Sequence, residues 1–313
     1  GALLTDASVG ATVTVDAAAM TAADLTALST NIAKVDAITN LTITDTQSSA
    51  EIGNLLSKAS GATVNAASMD ATDLGQVAAN IGGVGSITNL TLDSTMGADL
   101  ISELLGTKTA DASVDVVATG MSAAQLNAIG AAIAEIDAIT GTLALTNGVN
   151  ASAISSIYAE YTGTTSTVVA TGMSSAQLNA IDGAKVAASG ITGTFTINAD
   201  VTSTQITALV AKTAAGATLT VDATGMSAAQ ITAVEVGIAV VDTLTGLTLT
   251  SSQSAAEMTD LLGSAAVAAN SVSVNATGMA EAQLVVVASG VAKIPANGIT
   301  GVMSLSTAGL TDG

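Results

Sequence analysis

Leu219-Thr220-Val221-Asp222-Ala223-Thr224-Gly225-Met226-Ser227-Ala228-Ala229-Gln230 is the phrase that decides how this chain folds. Its first four residues alternate apolar and polar, the pattern of a half-exposed strand. Met226 follows after a small-residue turn. Ser227 to Gln230 then has the spacing of a capping box, in which the hydroxyl serves the third helical N–H and the carboxamide reaches back. Near-copies recur along the chain. Met20, Met69, Met121, Met173, Met226 and Met279 lie 49, 52, 52, 53 and 53 residues apart, and Ser122 to Gln125 and Ser174 to Gln177 repeat the cap. One supersecondary unit is thus written six times, the signature of a repeat array.

Each unit divides into two similar halves. After the cap, apolar residues recur at helical spacing, as in Leu25, Leu28, Ile32 and Val35, or Leu126, Ile129, Ile133 and Ile136. A second strand follows, around Leu41 and Ile43, Leu90 and Leu92, Leu143 and Leu145, Phe195 and Ile197, or Leu247 and Leu249. A second helix then carries Ile52, Leu55 and Leu56, or Ile101, Leu104 and Leu105, or Met258, Leu261 and Leu262. Parallel strands joined by a crossover helix connect right-handedly. The expected fold is therefore an α/β, right-handed solenoid of strand–helix–strand–helix repeats, about twelve coils in all, with one unbroken parallel sheet and the helices on the opposite side. The repeats run at about 11–61, 62–112, 113–164, 165–216, 217–269 and an incomplete 270–313, within a single array over 1–313. Val13, Val15, Leu41, Ile43, Leu90, Leu92, Leu143, Leu145, Leu219, Val221, Leu247, Leu249 and the six periodic methionines are expected inside, with the intervening threonines outside.

These residues carry a resemblance. Leu219-x-Val221-x-x-Thr224-x-Met226, Val114-x-Val116-x-x-Thr119-x-Met121 and Val272-x-Val274-x-x-Thr277-x-Met279 resemble the L-x-L-x-x-N-x-L core of leucine-rich repeats. Ile38-x-x-Leu41-x-Ile43 is similar to the L-x-x-L-x-L part of the same family. The departure is threonine, or Ser252, where that family has asparagine, so no continuous asparagine ladder is implied. The Ala/Thr/Ser-rich wording is also similar to very large repeat proteins of marine bacteria and cyanobacteria, which implies a secreted or cell-surface place.

Composition removes several classes of function. The 313 residues include no Cys, no His, no Trp, one Phe and two Tyr. The commonest general base and metal ligand is missing, and so is any thiolate site. With 6 basic against 25 acidic residues the net charge is −19, which repels nucleic acid and anionic membrane surfaces. Mean hydropathy is +0.62, yet no run is long enough to span a bilayer. Lys34 and Lys58 fall in the first repeat and Lys185 in the fourth, on helices or their ends, which places no base to activate a serine nucleophile. Asp70 and Asp73 read as a helix N-cap and a first-turn acid rather than a catalytic pair. No enzyme and no cofactor is expected.

Three groups of candidate positions remain. Asp16, Asp115 and Asp222 near strand ends are the candidates for calcium, although the ligand set is irregular along the stack and solubility is the favoured reading of the acids. Asp45 and Asp93 stand near second-half strands in the same way. Thr12/Thr14, Thr42/Thr44, Thr194/Thr196, Thr218/Thr220 and Thr248/Thr250 would form rows about 4.8 Å apart on the outer face, similar to ice-binding solenoids or simply a product of strand propensity. Finally, Leu3 and Leu4 read as the end of a helix, while Met303, Leu305 and Leu310 read as a strand and the start of the next helix. Both ends thus look cut within a repeat, which suggests head-to-tail association with another copy or continuation in a longer chain. The expected role is an extracellular structural protein, a segment or subunit of a surface layer, filament or adhesin stalk. The alternative is an adhesion or ice/carbohydrate-binding module that uses the threonine face.

Overall fold

The computed structural model describes residues 12–107 and 114–303. Strands and short helices alternate throughout them, in the order strand, helix, strand, helix, as an α/β solenoid. The helices run for six to ten residues, for example Ser175–Ala180, Ala123–Ala131 and Ser203–Lys212. Isolated helices this short are marginal in water, so they depend on packing and on their caps. The caps are those expected from the repeated phrase. Ser122, Ser174 and Ser227 each accept from the backbone N–H of Gln125, Gln177 and Gln230 at 3.3 Å, and each glutamine Oε1 accepts from the serine N–H in return, at 2.7 to 2.9 Å. In the first repeat Thr21 and Asp24 make the same exchange.

The sheet differs from the expected one. The seventeen strands among the described residues form six small sheets instead of a single unbroken one. Each complete sheet places a first-half strand between two pieces of second-half strand. Val114–Val117, for instance, lies between Leu90–Leu92 and Ala138–Thr140, with Val116 opposite Leu92 on one side and Ile139 on the other. Thr218–Asp222 lies in the same way between Thr194–Ile197 and Thr243–Thr245. The pairing is parallel and the two strand types alternate, as the sequence predicts.

What divides the sheet is one left-handed residue in each second-half strand. Asn40, Asn89, Gly141, Gly193, Gly246 and Gly301 have φ of 53°, 53°, 79°, 85°, 64° and 86°. The stretch Ile38-x-x-Leu41-x-Ile43 reads as one strand, yet Asn40 breaks it into Ala37–Thr39 and Thr42–Ile43. The first piece pairs backward with Thr14–Asp16, and the second pairs forward with Ala62–Asn65.

The break residue comes in two forms, each matched to the coil before it. In repeats one and two it is asparagine, and Asn40 Nδ2 donates to Asp16 Oδ1 and Asn89 Nδ2 to Asn65 Oδ1, both at 3.0 Å. The small residues Ala18 and Ala67 stand beside them in the preceding turn. In repeats three to six it is glycine, and the turn residue is Thr119, Thr171, Thr224 or Thr277. A Cβ on the glycine would run into that threonine's Oγ1 in every case. The threonine oxygen instead accepts from the next backbone N–H, from Thr142 at 2.8 Å and Thr194 at 3.0 Å, and from Val302 at 3.2 Å. Asparagine tolerates the left-handed region, so the choice of glycine is decided by the threonine as much as by φ.

The described residues make two compact units, 12–144 with 156–163, and 145–155 with 164–303. Each has its own buried core. In the first, Leu41, Ile43, Leu90, Leu92 and Leu143 are buried with Met69 and Met121; in the second, Leu145, Leu219, Val221, Leu247 and Leu249 with Met173 and Met279. Val13, Val15, Met20 and Met226 are half-buried rather than fully enclosed. The first three lie in the opening described coil, which has a described neighbour on one side only.

The matched seam gives a direct test. Gly141→Asn alone should cost about 1–3 kcal/mol, the usual range for overpacking. Adding Thr119→Ala should recover the part of that loss due to the clash, although Val117 stands where repeat one has Asp16 to take the asparagine amide. Denaturant titrations of the two single variants and the double variant measure the coupling; additive losses would contradict it.

Candidate functional site

The outer sheet face is the most regular surface. In the sheet formed by Thr194–Ile197, Thr218–Asp222 and Thr243–Thr245, Phe195, Ile197, Leu219, Val221 and Leu244 point inward and are buried. Six threonines alternate with them. Thr194 stands beside Thr218, Thr196 beside Thr220 and then Thr243, and Thr245 beside Asp222. All six are exposed or half-exposed. Sequence reading had placed Thr194, Thr196, Thr218 and Thr220 in this array but missed Thr243 and Thr245. Thr243-Leu244-Thr245 carries the same alternation, in a short piece just before the break at Gly246 and the Leu247–Leu249 alternation that follows it. Elsewhere the rows are mixed: Thr42 pairs with Thr63 and then Ser86, but Thr91 meets Asp115 and then Ala138.

The three calcium candidates do not occupy one column. Asp16 and Asp222 are the last residues of their strands. The Asp16 carboxyl is held below its usual range chiefly by the Asn40 amide and then by the Ala18 N–H. Asp222 is lowered by the Thr224 hydroxyl and N–H. Asp222 therefore serves its own turn, while Asp16 serves its turn and the seam to the next coil. Asp115 sits inside its strand, on the outer face opposite Thr91, two positions earlier than the other two, where Val117 stands at the strand end. Among the described residues no three carboxylates gather into a group able to hold a metal. Asp70 caps its helix, accepting from Thr72 N–H at 2.8 Å and Asp73 N–H at 2.9 Å, while Asp73 accepts from the Ser49 hydroxyl at 2.6 Å.

Of the assembly positions, Met303 is exposed (54%), beside Val302 (69%) and near Ile299 (37%) on the edge strand Ile299–Thr300. Leu3, Leu4, Leu305 and Leu310 lie outside the described residues. No described helix is long and apolar enough to cross a membrane.

The capping glutamines have a second role that the sequence did not disclose. Each Oε1 serves its own helix, while each Nε2 donates to two carbonyls of the preceding coil's turn. Gln125 reaches Ser94 and Met96, Gln177 reaches Asn147 and Val149, Gln230 reaches Ala199 and Val201, and Gln283 reaches Ser251 and Gln253. Donor and acceptor stand 28 to 32 residues apart in sequence. One carboxamide thus caps a helix and ties two coils.

No protein-family model matches the chain, and no curated protein matches it. Among solved structures, the yeast Rad7–Elc1 complex contains a chain that is 9% identical, with 82% of this chain and 77% of that chain covered, at a TM-score of 0.23. That superposition is too loose to bear on function.

One acidic contact makes stability depend on pH. Glu235 on helix Ala228–Val236 is pushed up by partial burial, by a hydrogen bond with Asp260 on the following helix, and by the charges of Asp260 and Glu257. Glu257 itself is pulled down, first by the Thr232 hydroxyl at 2.6 Å and then by the Ser254 N–H at 2.6 Å. A raised acid stabilises the fold fully below its unfolded value, and that contribution is lost as pH rises through the folded value. Glu235→Gln should therefore raise the melting temperature at neutral pH and change little in acid. A gain of equal size at both pH values would show that the contact is not titrating.

Proposed function

We propose that the chain is an extracellular structural repeat protein, a segment or subunit of a cell-surface layer, filament or adhesin stalk whose arrays join head-to-tail. The observation that carries this reading is the repeated tie between coils. Gln125, Gln177, Gln230 and Gln283 each commit a carboxamide to holding one coil on the next, and the Asp–Asn and Thr–Gly seams do the same at the alternate junctions. The conserved wording is thus devoted to joining coils, so the surface is what remains to act. The leucine-rich-repeat-like phrase and the acidic, cysteine-free composition fit a surface-exposed array of this kind. The exposed Ile299, Val302 and Met303 supply apolar area that a further coil would cover. With neither His nor Cys, the chain works here as length and surface, without catalysis, cofactor, nucleic acid or membrane insertion.

Electron microscopy of the native material, with sedimentation velocity over a range of concentrations, tests the proposal. Long regular polymers are expected. Isolated particles at every concentration would overturn it.

A second reading rests on the six-threonine sheet around Thr218–Asp222: an adhesion module that binds ice or carbohydrate through that face. Ice-recrystallisation and polysaccharide-retention assays decide it. Activity that disappears in Thr196→Lys and Thr220→Lys, in a chain that stays monomeric, would replace the first reading with this one. Chelation is expected to leave the melting temperature unchanged, because Oδ1 of Asp16 and of Asp222 already accepts from N–H and amide donors and no three carboxylates gather among the described residues; a large fall would reinstate calcium.

A further inference from the structure

The turn that Gln177 grips carries an asparagine followed by glycine. Asn147 is exposed, and Gly148 follows it in the turn between Ala144–Leu145 and helix Ala151–Glu160. Asn147 is coupled twice to the next coil. Its carbonyl accepts from Gln177 Nε2 at 2.9 Å, beside the 2.7 Å bond from the same nitrogen to Val149. Its side-chain amide lies against Gly172, where an added Cβ would stand 2.9 Å from Nδ2. The same place in other repeats holds Ser94, Ala199 or Ser251, whose carbonyls take the equivalent glutamine without any side-chain amide. An amide at this position is therefore not needed for the tie.

We propose that Asn147 is a site of spontaneous covalent modification, and that its conversion loosens the junction between the coil that holds it and the coil of Gln177. The chemistry needs only water. The Gly148 nitrogen attacks Cγ of Asn147. The new N–Cγ bond forms as the Cγ–Nδ2 bond breaks, and ammonia leaves with the hydrogen from the Gly148 nitrogen. The resulting five-membered imide is opened by water. Attack at Cγ gives aspartate; attack at the main-chain carbonyl carbon gives isoaspartate, with the backbone rerouted through Cβ and Cγ. Glycine favours the first step because no Cβ obstructs the approach of its nitrogen. Isoaspartate lengthens the backbone by one methylene and turns the carbonyl that Gln177 holds into a free carboxylate, whereas aspartate places its carboxylate where the side-chain amide lies against Gly172. The Gly148 N–H donates to the Thr146 hydroxyl at 3.4 Å, and in the chain's other Asn-Gly pair the Gly298 N–H donates to the Pro295 carbonyl at 2.8 Å, so at either place the first step displaces a turn contact.

The folded protein, incubated in mildly alkaline buffer, should show the mass gain of amide-to-acid conversion on the peptide containing residues 147 and 148. That peptide should also react in an isoaspartate assay. Gly148→Ala should slow the gain several-fold. Asn147→Ser should abolish it and melt like the parent, since serine holds this place at Ser94 and Ser251. The converted protein, separated by anion exchange on its added charge, should melt below the unconverted fraction. The proposal is overturned if residue 147 stays an amide in the folded protein while the denatured chain converts, or if converted and unconverted fractions melt together.

Discussion

Everything in this molecule depends on the register between one coil and the next. A single coil offers a strand of a few residues and a helix of at most ten, with apolar sides that nothing within the coil can cover. Burial of Val116 needs Leu92 on one side and Ile139 on the other, and burial of Val221 needs Ile197 and Leu244. Burial rejects a slip of one residue, which would turn the apolar side chains outward, but accepts a slip of two; side-chain hydrogen bonds reject both. The polar residues at the seams therefore set the register that the apolar residues then exploit. Asn40 on Asp16, the Thr142 N–H on Thr119, and Gln177 on Asn147 and Val149 each close only at one offset.

This division of labour also explains how an acidic chain stays compact. Its carboxylates are mostly spent on nearby donors at turns and helix starts: Asp16 on Ala18, Asp70 on Thr72 and Asp73, and Asp222 on Thr224. Each pairing lowers the cost of keeping a charge near the fold, and none requires a cation. Asp36, Asp137 and Asp242 go further, each accepting from a backbone N–H of the preceding first-half strand, at Val13, Val114 and Leu219. The acids are thus part of the seam and not only a solubilising coat. Glu235 and Asp260 are the exception, two carboxyl groups sharing one contact across neighbouring helices.

Much of the fold was legible because its signals are local. Strand alternation, the serine–glutamine caps and four of the six methionines stand where the pattern places them. The interruptions were not legible, because a left-handed residue inside Ile38-x-x-Leu41-x-Ile43 leaves the apolar spacing intact while turning the backbone. Nor was the outward reach of Gln125 or Gln177, since a capping box accounts fully for the residue type and leaves the Nε2 partners to be found in another coil. Asp115 shows the limit for the candidate site. By type it groups with Asp16 and Asp222, yet an offset of two residues moves it from the end of a strand to its interior, away from the turn that the other two serve. The threonine face was read from strand alternation alone, and Thr243 and Thr245 were missed because they belong to the piece of strand before the break.

The two kinds of seam are sorted along the chain, asparagine beside alanine in repeats one and two, glycine beside threonine in repeats three to six. This has a genetic meaning. Tandem repeats lengthen and shorten by unequal recombination between similar segments, and a crossover inside a repeat joins the turn of one copy to the break of another. Exchange among repeats three to six always rejoins threonine with glycine and yields a coil that closes. Exchange with the first two repeats can set asparagine against threonine, the combination for which Gly141, Gly193, Gly246 and Gly301 leave no room. Exchange within either kind of repeat therefore keeps the seam closed, and exchange between the two kinds does not.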